Sequence, residues 1–347
     1  MKGFFIALNC GTCAAAAVAF TDNRPMHTLI SYAAPPGPLA REALTRLGLP
    51  HLAQLLQRMG IGARLQGQAN DLTPVFERVL AQSMGLEGAD GLIPWAAHEA
   101  HQLGLTTLHG LDGWAWITPC HWNVQSDHVE MADPLQLGLT PRDAATLFMA
   151  MQPYFAEDGI TLIAPTAGQS STRWLAHGAA FVGLPTASLD RVAGRSVDAW
   201  MPRQPQAKPL RRLQNEMQML LYTHPVNDQR TQFRLPIVNA FWVSGTGTYN
   251  RTPMATHAAS APTCSVRDAL RVPALNDDPA GWALAWHALD ASTLAHDVQR
   301  LAQGEPVRVT LCSDTGSVTL EAQPLSAWER LRRRIAPLQP HQLLSTL

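Results

Sequence analysis

Between Leu210 and Gly247 the chain sets an amphipathic helix, a polar turn, an apolar strand and a glycine loop in one short run, and that order constrains the fold more than any other segment. Leu210, Leu213, Met217, Leu220 and Leu221 recur at helical spacing, with Arg211, Arg212, Asn215 and Glu216 largely opposite. Pro225 disfavours helical geometry in the residue before it, so the helix is expected to stop near His224. Pro236 to Val243 is short, apolar and rich in β-branched and aromatic residues, which predicts a buried strand running into Ser244-Gly245-Thr246-Gly247. Ligands of open α/β sheets gather at the carboxyl ends of strands, so this corner is the first candidate for a site.

Other helices are expected after Pro50 with Leu52, Leu55, Leu56 and Met59 inward, after Thr73-Pro74, and after Thr140-Pro141-Arg142-Asp143, which resembles a capping arrangement. Strands are expected at Thr28 to Tyr32, Thr161 to Ala164, Ile237 to Val243, Val307 to Cys312 and Val318 to Glu321. This alternation predicts an α/β fold: a mixed, mostly parallel sheet flanked by helices. Residues 26–347 read as a single domain, with irregular segments near 201–209 and 248–280.

Composition sets outer limits. The 347 residues suffice for a substantial core, and a formal charge of −1 argues against general electrostatic binding of nucleic acid or an anionic membrane. Ten tryptophans and 26 prolines, with only 15% charged residues, describe a loop-rich globule and not a disordered regulator. Five cysteines fit a reducing compartment better than a disulfide framework, so a cytoplasmic location with Cys120, Cys264 and Cys312 reduced is expected. Residues 1–25 stand apart. Lys2, an alanine-rich run to Phe20 and Ala17-Val18-Ala19 outline a secretory signal, while a true start at Met26 is the preferred explanation; Cys10 and Cys13 form a lone C-x-x-C.

Several clusters carry both a chemical and a plain reading. His98 and His101 lie one helical turn apart with His109, His121 and His128 nearby in sequence, a spacing a metal can use but one common on partly exposed helices. Thr118-Pro119-Cys120-His121-Trp122, followed by Asp127, His128 and Asp133, is a cluster of polar chemistry among aromatic residues in which His121 and His128 offer polar lining for a cleft and Cys120 is expected to be buried. Arg191, Arg195 and Asp198 form either an anion-binding fork or an internal pair that pins a loop. Asn239 interrupts an apolar strand, so its amide requires a partner in either backbone or ligand. Asp314-Thr315-Gly316, between two apolar runs, reads first as a hairpin turn, and Arg330, Arg332, Arg333 and Arg334 as a solvated helix end.

The run from Leu210, with Pro94 to Ala97, Thr118 to Trp122 and Ser188 to Pro202, resembles a betaproteobacterial and xanthomonad family described as Rpf-type regulatory or phosphoglycerate mutase-like, over roughly Met26 to Arg330. More distantly, the chain is similar to the archaeal type of cofactor-independent phosphoglycerate mutase in the alkaline phosphatase superfamily. That pattern falls on His224, Pro225, Asn227, Arg230, Asn239, Trp242, Gly245 and Gly247, and Leu49 to Leu55 resembles the segment after the superfamily's nucleophile. The resemblance implies an alkaline phosphatase-like core in reduced form. Those enzymes place an Asp-Gly pair after the first strand and further Asp and His residues around two divalent metals. Here the first strand runs into Ala33-Ala34-Pro35-Pro36-Gly37, and the closing Asp-His-Gly corresponds to Asp314-Thr315-Gly316, with Thr in the histidine's place.

The expectation is therefore a non-catalytic regulatory or binding protein that takes a small anion or a protein partner through Asn227, Arg230, Asn239, Trp242, Gly245 and Gly247, joined by Arg191 and Arg195, with no metal and no cofactor. The alternative is a phosphoglycerate mutase or phosphohydrolase rebuilt from His121, His128, Asp127, His224 and Asp228 with manganese or magnesium. A third reading, an interaction subunit without a ligand, requires Asn239 to be satisfied entirely by backbone groups.

Overall fold

Two sheets organise the chain in a computed structural model that describes residues 26–106, 113–165, 172–249, 263–322 and 337–347, with Trp328, Arg333 and Ile335. Residues 1–25, His109, Arg330, Arg332 and Arg334, and the stretch 250–262 of the expected irregular segment lie outside the described residues.

The first sheet begins with β1 (Met26–Ile30), continues through α1 (Pro38–Ala43) and α2 (Pro50–Arg58) to β2 (Gly60–Gln66), and is then interrupted. The second sheet fills the interruption: α3 (Val75–Ser83), α4 (Trp95–Gln102), β3 (Gly113–Val124), β4 (Val129–Ala132), α5 (Pro141–Glu157), β5 (Thr161–Ile163), β6 (Trp174–Gly178), α6 (Leu189–Val192), β7 (Arg195–Ser196), α7 (Lys208–Tyr222), α8 (Pro225–Gln232) and β8 (Ala240–Gly247). The chain then returns through β9 (Thr263–Arg267), α9 (Arg271–Leu275), α10 (Pro279–Leu289), α11 (Ala295–Ala302), β10 (Val307–Cys312) and β11 (Gly316–Glu321).

The mixed α/β class holds, but the share of parallel pairing is smaller than expected. In the first sheet, ordered β2-β11-β10-β1-β9, β1 pairs in parallel with β9 and β10 while β11 and β2 run antiparallel. The strand ladders of the second sheet are antiparallel. The cause is short hairpin connections, such as 313–315 and 125–128, where helical crossovers would have enforced parallel pairing. No described helix is long and apolar enough to cross a membrane.

Each sheet has its own apolar packing. Leu52, Leu55 and Leu56 of α2 meet Trp282 and Trp286 of α10 and Val309, Leu311 and Leu320 of the first sheet. Phe148 and Phe155 of α5, with Leu213, Met217 and Leu221 of α7, pack on Ile117 and Phe241 of the second. The indole N–H groups of Trp282 and Trp286 donate to the carbonyls of Tyr32 and Ala33 at 3.1 Å each, which pins the chain where it leaves β1.

Pro225 does end one helix, but it also opens the next at the first-turn position that suits proline, with His224 as its cap. The segment 201–209 is a brief 3-10 turn, Pro205–Ala207, that leads straight into α7. The glycine loop expected after Val243 is strand: β8 continues through Gly247 alongside β3. The register slips between Trp114 and Trp116 opposite Gly245, whose φ is 63° and whose added Cβ would lie 2.8 Å from the Trp116 ring. Gly245 is thus a β-bulge residue under an indole, a role that needs both positive φ and no side chain. Gly245→Ala should destabilise the protein by roughly 1–3 kcal/mol, measured as a lower denaturation midpoint at unchanged slope.

Candidate functional site

The carboxyl ends of the parallel strands gather a group of buried and partly buried ion pairs. β1, β9 and β10 all point toward one edge, and the segments leaving them carry Tyr32, Arg271 and Asp314. From the second sheet, the turn after β4 brings Asp133, and α6 with its flanks brings Ser188, Asp190, Arg191 and Arg195.

Two ion-pair groups join the sheets there. The Arg191 guanidinium is wholly buried, with Nη1 2.8 Å from Asp314 Oδ1 and Nη2 donating to the Asp314 carbonyl at 3.2 Å. Arg195 approaches the other oxygen of Asp314 at 3.5 Å. Arg271 donates to Asp133 through Nη1 at 2.7 Å and Nη2 at 3.3 Å, and through Nε to Asp190 at 2.7 Å. Burial raises the Asp190 carboxyl above its ordinary range against the pull of Arg271, and it raises the Tyr32 phenol too. Beside them Ser188 donates to Glu77, whose pKa burial pushes up to about 7. Three guanidinium groups and three aspartates thus balance in a low-dielectric seam, and Glu77 joins it largely as a neutral acid below that pH.

A cavity of about 490 Å³ opens beside this seam. Its walls include Ala34 to Pro36 after β1, the turn Ser313 to Thr315, and Arg41, Thr45 and His341. Asp314 is common to the cavity and the Arg191 pair.

Of the residues singled out from sequence, Arg191 and Arg195 reach this edge. Their carboxylate partner is Asp314 and not Asp198, whose backbone instead bonds Ser196 and Arg203. The others are engaged elsewhere. The Asn227 amide donates to the carbonyls of Leu221 and Val238 at 2.7 Å each and accepts the Val238 N–H at 2.8 Å. Asn239 accepts the Trp122 N–H at 2.7 Å and donates to the Trp122 carbonyl at 2.9 Å, so backbone groups meet both ends of the amide. Buried Arg230 donates to the carbonyls of Pro236 and Leu137 and approaches Asp143 at 3.4 Å. Trp242 donates to the Ala187 carbonyl at 3.0 Å, and an added Cβ at Gly247 would meet Pro94.

The histidines of the rebuilt-enzyme alternative separate similarly. His121 pairs with Asn123 and His128 with Asp127 on the β3–β4 hairpin, while His224 caps α8, on which Asp228 sits in the first turn. His98 lies within hydrogen-bonding distance of Gln102 at 2.9 Å, and His101 stacks on Tyr249 at 4.2 Å between centroids. Cys120 is buried in β3, and burial holds its thiol far above the usual range, so it stays protonated. Among the described residues no three His, Cys, Asp or Glu side chains gather as a metal site.

Asp133, part of the polar cluster after Trp122, belongs to this seam; Arg271, Asp190 and Glu77 have no place in the sequence expectations. Their signal was present: Arg271 is the lone charge in the run Ala269 to Leu275, and an isolated charge among apolar residues calls for a buried partner.

Arg191→Met should cost roughly 3–5 kcal/mol by leaving Asp314 less compensated, and adding Asp314→Asn should cost less than the two single losses combined. A denaturation double-mutant cycle measures this. Glu77 holds its proton more tightly folded than unfolded, so its contribution to stability falls as pH rises from the ordinary glutamate range through about 7. Glu77→Gln should therefore gain on the parent protein in melting temperature between about pH 5 and about pH 8.

No protein-family model matches the chain, and no curated protein matches its sequence. Among solved structures, the PH0037 protein from Pyrococcus horikoshii aligns with 89% of this chain and 92% of its own at 12% identity and a TM-score of 0.43. The cofactor-independent phosphoglycerate mutase from Thermoplasma acidophilum aligns with 87% of this chain and 91% of its own at 12% identity and a TM-score of 0.34. At these scores neither likeness bears on activity or site.

Proposed function

We propose that this chain is a non-catalytic binding protein that takes a small anion at the carboxyl edge of β1 and β10, on a phosphoglycerate mutase-like plan whose metal corner has become an arginine–carboxylate pair. The observation that carries this reading is the wholly buried guanidinium of Arg191 set 2.8 Å from Asp314, which stands beside Thr315, the residue that the sequence resemblance matches to a metal-binding histidine. A divalent cation at Asp314 would face two guanidinium groups at short range, so this donor set does not suit a metal. The segment after β1 adds no carboxylate: Ser31 to Gly37 holds Tyr, Ala and Pro between its ends.

The adjoining cavity offers a different chemistry. Thr45, Ser313 and Thr315 line it, the hydroxyls of Thr45 and Ser313 already donating to the Glu42 and Leu347 carbonyls, and Arg41 adds an exposed guanidinium that has no ion-pair partner among the described residues. His341 sits on the same wall. An arginine without an ion-pair partner among the described residues, with the Thr315 side chain beside it, suits phosphate or a short phosphorylated acid without any cation between. Occupancy without turnover gives the protein a regulatory use, with the pinned exit of β1 as the element that senses the ligand.

Protein started at Met26 should show no phosphoglycerate interconversion and no phosphatase turnover with or without manganese, and calorimetry should show saturable binding of phosphate or 3-phosphoglycerate. Arg41→Gln should weaken that binding roughly tenfold or more. Metal-dependent turnover that disappears in His121→Ala or His224→Ala would overturn the proposal in favour of a rebuilt enzyme.

A further inference from the structure

A second cavity, of about 250 Å³, lies on the second sheet between α4 and the start of β6. Its walls are mostly apolar, from Leu103, Leu105, Ile163, Pro165, Trp174 and Leu175. Three further wall residues are linked to one another. Glu99 Oε2 accepts both the Trp116 indole N–H at 2.8 Å and Arg173 Nη2 at 2.9 Å, and the Arg173 guanidinium lies over the Trp116 ring at 3.8 Å from its centroid. Stacking on one face and a carboxylate on one edge hold Arg173 in place although its side chain is 42% exposed.

What this arrangement leaves open is specific. Arg173 keeps donors beyond the one given to Glu99, since a guanidinium carries five. Glu99 keeps Oε1, for which no partner is found among the described residues. Trp174 is also part of the wall, is almost wholly buried, and its indole N–H has no acceptor among the described residues. A plain carboxylate would meet Arg173 but lie against Glu99; a plain amine would meet Glu99 but lie against Arg173. A zwitterion matches both charges at once and leaves the pair neutral.

We infer that this cavity binds an apolar α-amino acid, its carboxylate on the free donors of Arg173, its ammonium on Glu99, and its side chain among Leu103, Leu105 and Ile163. The volume lies just below the range of roughly 300–1,000 Å³ typical of drug-sized ligands, which fits a single amino acid. The site is distinct from the anion cavity proposed at the edge of the first sheet, with no wall residue in common.

The test is calorimetric titration of the parent protein with L-leucine and L-phenylalanine, with 4-methylpentanoate and 3-methylbutylamine as analogues that lack one charge each. Saturable amino-acid binding is expected, weakened roughly ten- to hundredfold in either analogue and in Arg173→Gln or Glu99→Gln. Both substitutions are at partly exposed positions, and circular dichroism with melting temperature checks that the variants are folded. Phosphate titration of the same variants should be unchanged, which keeps this site separable from the anion cavity. Absence of saturable binding of both amino acids by folded parent protein, or equal binding of the amino acids and their analogues, would overturn the inference.

Discussion

The seam of arginines and aspartates between the two sheets is the interaction on which the rest of the architecture depends. Arg271 belongs to the first sheet's half of the chain and Asp133 and Asp190 to the second's, while Arg191 reaches back to Asp314 in the opposite sense. Each link therefore ties the two sheets, and removal of one partner leaves a charge in a largely buried place without its counterion. Such pairs add little net stability compared with an apolar seam of equal volume, and their partners meet in the alignment of the sheets described here. The edge cavity inherits that alignment, because Asp314 is both its wall and the partner of Arg191.

A second principle recurs within the second sheet: side-chain amides stand in for missing backbone partners. Asn239 precedes β8 and gives Trp122 both an acceptor and a donor, so the β3–β8 ladder gains an extra rung beyond its last backbone pair. Asn227 does the same between α8 and the segment before β8. The cluster around Leu210 to Gly247 is thus built as a brace. Its polar residues are the ones that hold an irregular connection together in an apolar setting, where an unmet donor or acceptor costs about 1–3 kcal/mol.

How much of this was legible follows from the range over which each signal acts. Helical periodicity gave α2 and α7, the Thr140 cap gave α5, and short β-branched runs gave β1, β5, β10 and β11 within a few residues. The longest strand, β3, was hidden by Pro119, which falls where β3 passes from pairing with β6 to pairing with β4, so the lost N–H is not missed on that side. Gly245 and Gly247 read as a loop because a bulge and a loop use the same residue for the same reason. Arginine residues at 191 and 195 were visible as charges in need of a partner, but the partner is 119–123 residues away and no local pattern points to it.

The order of the strands has a consequence for how the chain reaches this state. β1 is the first strand described, yet both of its neighbours come from the far side of the second sheet: Met26 lies opposite Thr263 on one side and Val307 on the other. In the second sheet β3 finds β4 across a short turn and then waits only for β8, whereas β1 has two bare edges until the last part of the sequence arrives. High contact order of this kind makes closure of the first sheet the slow step, and during the wait Leu29 and Ile30 sit on an open strand of the sort that pairs with other chains.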